Sequence, residues 1–265
     1  MAGVAHPGAV INRPAMQADG LVFETARDTD DDALRTLLRD NPLPGWVSVS
    51  FEREPSYFPG ATVEGDVHET IVARESASGR IVGAFGRSEF NAFVNGCEQR
   101  VGYLGQLRVD PAYLGRVRRL RQGFEACRTL LHEGGGARFY LTSILAANQP
   151  ARRLLLAGLP GMPTYRELSG FSTLVLPTRR MHARRKGADV RVRRATIGDV
   201  PEVAALLQQQ YRRYQCAPVW NEPALRSRER CRGLEAGDLF VAERSGLVVG
   251  CAGLWDQQSF KQQVV

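Results

Sequence analysis

Apolar and polar positions along the chain fall into two periods. In 26–38 (ARDTDDDALRTLL) acids precede a run whose apolar residues recur at helical spacing, which suits the positive end of a helix. In 69–76 and 80–93 apolar residues recur as in strands, with a polar, glycine-containing turn between them, so an antiparallel pair is predicted. Asn95-Gly96 is a strong hairpin signal, because both positions of a tight hairpin turn need positive φ. It leads into a strand over 97–109, ended by Pro111, which has no ladder donor. Residues 114–132 read as a helix with Val117, Leu120, Phe124, Cys127, Leu130 and Leu131 on one face. A strand over 137–145, a helix over 148–157 with Pro150 in its first turn, and one or two strands within 165–176 follow. A short strand at 21–25 and a short helix at 51–58 complete the reading.

The order gives an α/β fold: a mixed, mostly antiparallel sheet with a parallel β-α-β centre and helices on both faces. The strands at 97–109 and 137–145, joined by a crossover helix, are expected to be parallel neighbours.

The same pattern recurs later in the chain. TIVARESASGRIVGA (70–84) and FVAERSGLVVGCA (240–252) are both strand, polar turn and strand, and RRATIGDVPEVAALL (193–207) repeats the acid-capped helix entry. Val72-Ala73 and Val241-Ala242 are 169 positions apart, as are Leu37-Leu38 and Leu206-Leu207, while Val82-Gly83 and Val249-Gly250 are 167 apart. Two copies of one domain are therefore expected: a tail over 1–20, a first domain over 21–177, a basic linker over 178–188, and an incomplete second copy over 189–265.

Charge adds one local feature. The net charge is +7, and the stretch Arg179 to Arg194 holds eight Lys/Arg against one Asp, so it equals the excess of the whole chain. A uniformly basic nucleic-acid surface is not indicated, and a solvated connector is the simpler reading of this stretch. Five scattered cysteines, never in C-x-x-C spacing, argue for reduced thiols in a cytoplasmic setting and against disulfide or zinc chemistry. The four histidines show no metal-ligand spacing, and no membrane partner is expected.

Two segments carry a resemblance. LGQLRVDPAYLGR (104–116), entering a helix, resembles motif A of the GNAT N-acetyltransferases, and ILAANQPARRLLLAG (144–158) resembles their motif B. The arrangement as a whole is similar to a tandem GNAT with a truncated second copy. The resemblance implies a GNAT fold and acetyl-CoA as acyl donor, with no metal. It also implies transfer to an amine of a small molecule or peptide. Leu107, Arg108 and Val109 would pair with the pantetheine amides. The helix start, Leu114, Gly115, Arg116, Val117, Arg118 and Arg119, would receive the pyrophosphate, since backbone N–H groups and the helix field favour anions there. At the family's loop positions, usually Gln/Arg, Gly and Gly/Ala, this chain has Leu114, Val117 and Arg119. Asn148 would touch the cofactor arm and is also a favoured N-cap. Tyr165 stands where many family members place the acid that protonates the leaving thiolate, with Tyr140 a weaker rival. Glu54, Glu69 and Glu89 are open as general bases, and periodicity does not choose among them.

Two other functions are consistent with these residues: an acyl-CoA-binding module without catalysis, and a nucleic-acid-associated protein acting through 179–194. The second copy's counterpart of 104–120 would lie past Val265, so the cofactor chemistry is expected in the first copy. The sheet edge at 247–257 would then be covered by a homo-oligomer partner or by a further C-terminal segment.

Overall fold

The structure is a computed structural model that describes residues 15–42, 50–113, 117–133, 136–172 and 189–264. In chain order the elements of the first part are β1 (Met16–Ala18), β2 (Leu21–Thr25), α1 (Asp31–Asp40), β3 (Ser50–Glu52), α2 (Pro59–Thr62), β4 (Val67–Glu75), β5 (Ile81–Val94), β6 (Cys97–Val109), α3 (Val117–Glu133), β7 (Tyr140–Leu141) and α4 (Gln149–Leu156). The second part has β8 (Arg191–Arg194), α5 (Val200–Tyr211), β9 (Ala217–Pro218), α6 (Glu222–Arg226), β10 (Leu239–Arg244), β11 (Leu247–Gly253) and β12 (Gln262–Val264).

The main sheet runs β1-β2-β4-β5-β6-β7. Its pairings are antiparallel except the last, where β6 and β7 are parallel. Asn95 and Gly96 both take positive φ, 52° and 76°, and close the β5–β6 hairpin. On one face Leu34, Leu37 and Leu38 of α1 pack with Tyr57, Val72, Ile81 and Ala84. On the other, Ala126 of α3 packs with Leu21, Phe23 and Val82. A bulge opposite Ala73/Arg74 adds one residue to β5 and breaks its strict alternation, so Ile81 shares the α1 face with Ala84 while Val82 turns to the other. This is the α/β architecture expected from the sequence: a mixed, mostly antiparallel sheet with a parallel unit and helices on both faces.

A smaller sheet of order β11-β10-β8 is covered by α5 around Val203 and Val241. Its register follows that of the first sheet. Val72 lies opposite Glu24 and Val241 opposite Arg193, each partner 169 positions on. Ala73 faces Gly83 and Ala242 faces Gly250, and the bulge at Ala73/Arg74 recurs at Ala242/Glu243. The two parts interlock. β9 takes the edge of β5 at Ala92 and Phe93, beyond the end of β4, and β12 pairs with β3.

Three local expectations are corrected. Residues 51–58 are not a helix: β3 ends at Glu52 and the short helix begins at Pro59. The strand expected over 137–145 is only Tyr140–Leu141. Residues 165–172 form no strand, and Leu168 and Phe171 are each 77% exposed, so their apolar spacing packs against no sheet. The remainder of 165–176 lies outside the described residues.

Candidate functional site

The parallel pair at the β7 end of the sheet is short. Gly102 faces Tyr140 and Tyr103 faces Leu141, and beyond these the two backbones part. A side chain at Gly102 would collide with the Tyr140 ring, so glycine is required there. Past the parting point, among the described residues, side-chain hydrogen bonds span the two segments. Thr142 Oγ1 donates to the Leu104 carbonyl at 2.8 Å, and the Tyr103 hydroxyl lies 2.5 Å from Ser143 Oγ. From 104 to 109, β6 therefore has β5 on one side and no strand partner on the other among the described residues. Within this stretch β6 is bulged: Gly105 faces Gly86 and Arg108 faces Ala84, and Gln106 takes φ 56°. A left-handed glutamine in a strand is strained, and such strain collects at functional positions.

Leu107, Arg108 and Val109 lie along this free edge, with Leu107 44% exposed and Arg108 buried. Asn148 caps α4, its side-chain oxygen accepting from the Ala151 N–H at 3.3 Å. Leu114, Gly115 and Arg116 lie outside the described residues, as does the side chain of Val117, which opens α3. Arg118 Nε is 2.7 Å from an Asp19 carboxylate oxygen, and the Arg119 guanidinium lies over the Tyr113 ring at 4.6 Å. Tyr165 packs edge-on against Phe124 of α3, ring centres 6.2 Å apart, and burial pushes its hydroxyl up to about 12. Such a phenol stays protonated at neutral pH.

The rival tyrosine belongs to a charge network. The Tyr140 hydroxyl donates to Glu89 at 2.6 Å and accepts from Arg87 Nε at 3.1 Å, and Arg87 also grips Glu69 and Glu89. Burial raises Glu89, but Tyr140 and Arg87 outweigh it and hold its carboxyl below the usual range. Glu54 is paired with Arg35 and Arg39. All three carboxylates open as bases are thus bound to arginines.

No motif or spacing singles out the group on the α1 side of the bulge. His68 of β4 lies there with its side chain 10% exposed, and a Cβ built at Gly86 would lie 3.5 Å from His68 Cε1 and 3.9 Å from Gln106 Cβ. Its Nε2 is 3.3 Å from Thr70 Oγ1, which is 3.3 Å from the Tyr57 hydroxyl. Burial lowers His68 to about 4 against the opposing pull of Glu64, so the ring is neutral at pH 7. Arg53 stacks over Tyr57 at 4.6 Å and donates to Glu64 at 2.6 Å, and Lys261 lies 3.5 Å from the same carboxylate. Periodicity could not find these residues, because the contacts join β4, the residues just after β3 and α2, and a segment about two hundred positions away.

Among the described residues no group of three or more His, Cys, Asp or Glu could hold a metal ion, and no helix is long and apolar enough to cross a membrane. Of the basic stretch, Arg193 is paired with Asp199 and Glu243, and Arg194 lies over the Phe240 ring. Residues 179–188 lie outside the described residues.

No protein-family model matches the chain, and no curated protein matches it. Solved structures do. An acetyltransferase from Trypanosoma brucei is 18% identical, covering 59% of this chain and 99% of its own, with a TM-score of 0.39. The aminoglycoside acetyltransferase AAC(6')-Iy, bound to a bisubstrate analogue, is 18% identical over 59% of this chain and all of its own, with a TM-score of 0.41. A ribosomal-protein-alanine N-acetyltransferase from Brucella melitensis is 12% identical over 60% of this chain and 99% of its own, also at 0.41.

Proposed function

We propose that the chain is an acyltransferase that moves an acetyl group from acetyl-CoA directly to an amine. One observation carries this reading: the bulged free edge of β6 at 104–109, opened by the parting of β6 and β7. An unpaired strand edge can take an extended amide-bearing chain as an added strand, and the pantetheine arm is such a chain. Leu107, Arg108 and Val109 would supply that edge, the start of α3 at 114–119 would meet the pyrophosphate, and Asn148 would close the arm from α4. A backbone N–H at the bulge would polarise the thioester carbonyl as the amine attacks. As the C–S bond breaks, the thiolate needs a proton, and Tyr165 is the donor we assign. The repeated register of the two sheets favours a tandem arrangement in which the first copy, 21–177, holds the chemistry. Residues 189–265 would belong to the second copy.

The base is supplied weakly. Glu54, Glu69 and Glu89 are bound to arginines, and a histidine lowered to about 4 accepts a proton poorly. The reaction is therefore expected to draw on the free-amine fraction of its acceptor, so kcat/KM should climb with pH toward the pKa of that amine. A flat profile from pH 7 to 9 would mean that a strong base has been overlooked.

Calorimetric titration with acetyl-CoA is the direct test. Saturable binding, weakened at least ~10-fold by Gly115→Trp, is expected, together with thiol release across an amine panel. No binding in the wild type refutes the reading. Binding without thiol release favours the non-catalytic module, which the departures at Leu114, Val117 and Arg119 from the family loop keep in view.

A further inference from the structure

Two buried guanidiniums flank Tyr57 on the α1 side of the β6 bulge. Arg108, two positions past the bulged Gln106, is 7% exposed. Its Nη1 donates to the neighbouring Leu107 carbonyl at 2.9 Å, its Nε has no acceptor among the described residues, and no carboxylate is paired with it there. Arg53 is 1% exposed, with Nη2 on Glu64 and with Nε and Nη1 lacking acceptors among the described residues. His68 Nδ1, 3.9 Å from Glu64, also has no hydrogen-bond partner there. Arg53 and Lys261 thus share one carboxylate, Glu64, while Arg108 is paired with none among the described residues.

Burying a charge without a counter-charge is costly, and an unfilled buried donor adds to the cost. Stacking on Tyr57 accounts for the flat face of Arg53 but not for the edge N–H groups, which lie in the ring plane. A fold that keeps two such forks beside a reactive edge has a use for them. Guanidinium forks match carboxylate and phosphate oxygens. Leu107, adjacent to Arg108, is 44% exposed, so this stretch of the β6 edge reaches the surface.

We propose that the acceptor amine carries an anionic group, a carboxylate or a phosphate, and that Arg53 and Arg108 bind it beside the bulge. This deepens the acyltransferase reading and rests on it for the amine. A polycationic acceptor is the opposite expectation, since excess positive charge would repel it.

The test has two parts, both on the full chain. Acetyl transfer is measured at fixed ionic strength with glycine, β-alanine and 4-aminobutyrate, with their amides, with aminoethyl phosphate and with putrescine. Anion-bearing amines should exceed the amides in kcat/KM by ~10–100-fold, and Arg108→Gln should erase that ratio. Carboxylates in the lead identify the group as a carboxylate, and aminoethyl phosphate in the lead identifies a phosphate. Amides or putrescine in the lead overturn the proposal. The second part needs no cofactor: calorimetry with acetate and with inorganic phosphate on wild type, Arg108→Gln and Arg108→Lys, each checked for folding by thermal melt. Saturable binding of one anion is expected, weakened at least ~10-fold by Arg108→Gln and partly restored by Arg108→Lys. No saturable binding of either anion overturns the proposal, whatever acetyl-CoA does. Anion binding in a chain that ignores acetyl-CoA removes the acyltransferase reading and leaves the anion site standing.

Discussion

A neutral, largely enclosed histidine beside Arg53 and Lys261 makes a prediction about acid. His68 titrates near 6.5 when unfolded and is lowered to about 4 in the fold, chiefly by burial, with Arg53 and Lys261 adding to the effect and Glu64 opposing it. Between those values the unfolded chain binds the proton and the folded chain does not, so stability falls as pH drops from about 6.5 toward 4. This one residue should remove ~2 kcal/mol between pH 7 and pH 5. Urea unfolding at the two pH values measures it, and His68→Gln should abolish most of the difference. An equal acid loss in the variant would place the sensitive group elsewhere. At this scale the sequence was only partly readable. Asn148 as an N-cap and the turn at Asn95-Gly96 follow from local chemistry, and both are observed. Arg53, His68 and Arg108 gain their meaning from neighbours on other elements, which no spacing rule reaches.

Elements were more legible than residues, because their signals are local. The β4–β5 and β5–β6 hairpins, α1, α3 and α4 lie close to where periodicity and turn chemistry put them. The exceptions have physical causes: β7 is cut short because the chain leaves β6 after Leu141, and the apolar residues of 165–172 stay exposed. The repeat offers a sharper test. In the first sheet Arg74 of β4 bridges Glu24 of β2 and Asp30. At the matching positions of the second sheet the charges are exchanged, so that Arg193 of β8 bridges Glu243 of β10 and Asp199. The cation has moved to the opposite strand while the acid at the helix entry is kept. Glu24→Arg alone should set two arginines side by side. Arg74→Glu alone should gather three acids, costing ~2 kcal/mol or more. The double variant rebuilds the second sheet's arrangement and should recover most of that loss. Thermal melts of the four proteins form the cycle. A double variant no better than the sum of its parts would show that the exchange is not a true compensation.

At the scale of the whole molecule the question is whether the two sheets fold as separate bodies. The sequence suggested two copies joined by a linker, which leaves their contact open. The contacts between the two parts are specific. The Gln262 side chain accepts from the Glu54 N–H and donates to the Glu54 carbonyl, both at 2.9 Å, so it copies a strand partner. Lys261 reaches Glu64, Thr62 Oγ1 donates to the Glu229 carbonyl at 3.2 Å, and Arg230 donates to the Val63 carbonyl. Phe260 is 3% exposed, and its carbonyl lies so close to Gly60 that a side chain there would strike it. The segment 254–264 thus roofs the Arg53–Glu64 pair, and the anion site proposed for the first part depends on the second part for its cover. Phe260→Ala should cost ~3–5 kcal/mol if it acts as a core residue. Hydrogen exchange locates the effect. Amides of 50–63 in the first part should lose protection together with those of 254–264, because opening the roof frees both sides of one interface. Loss confined to 254–264 would mean that the roof lies on the first part without supporting it. The anion site would then have to be complete within 21–177.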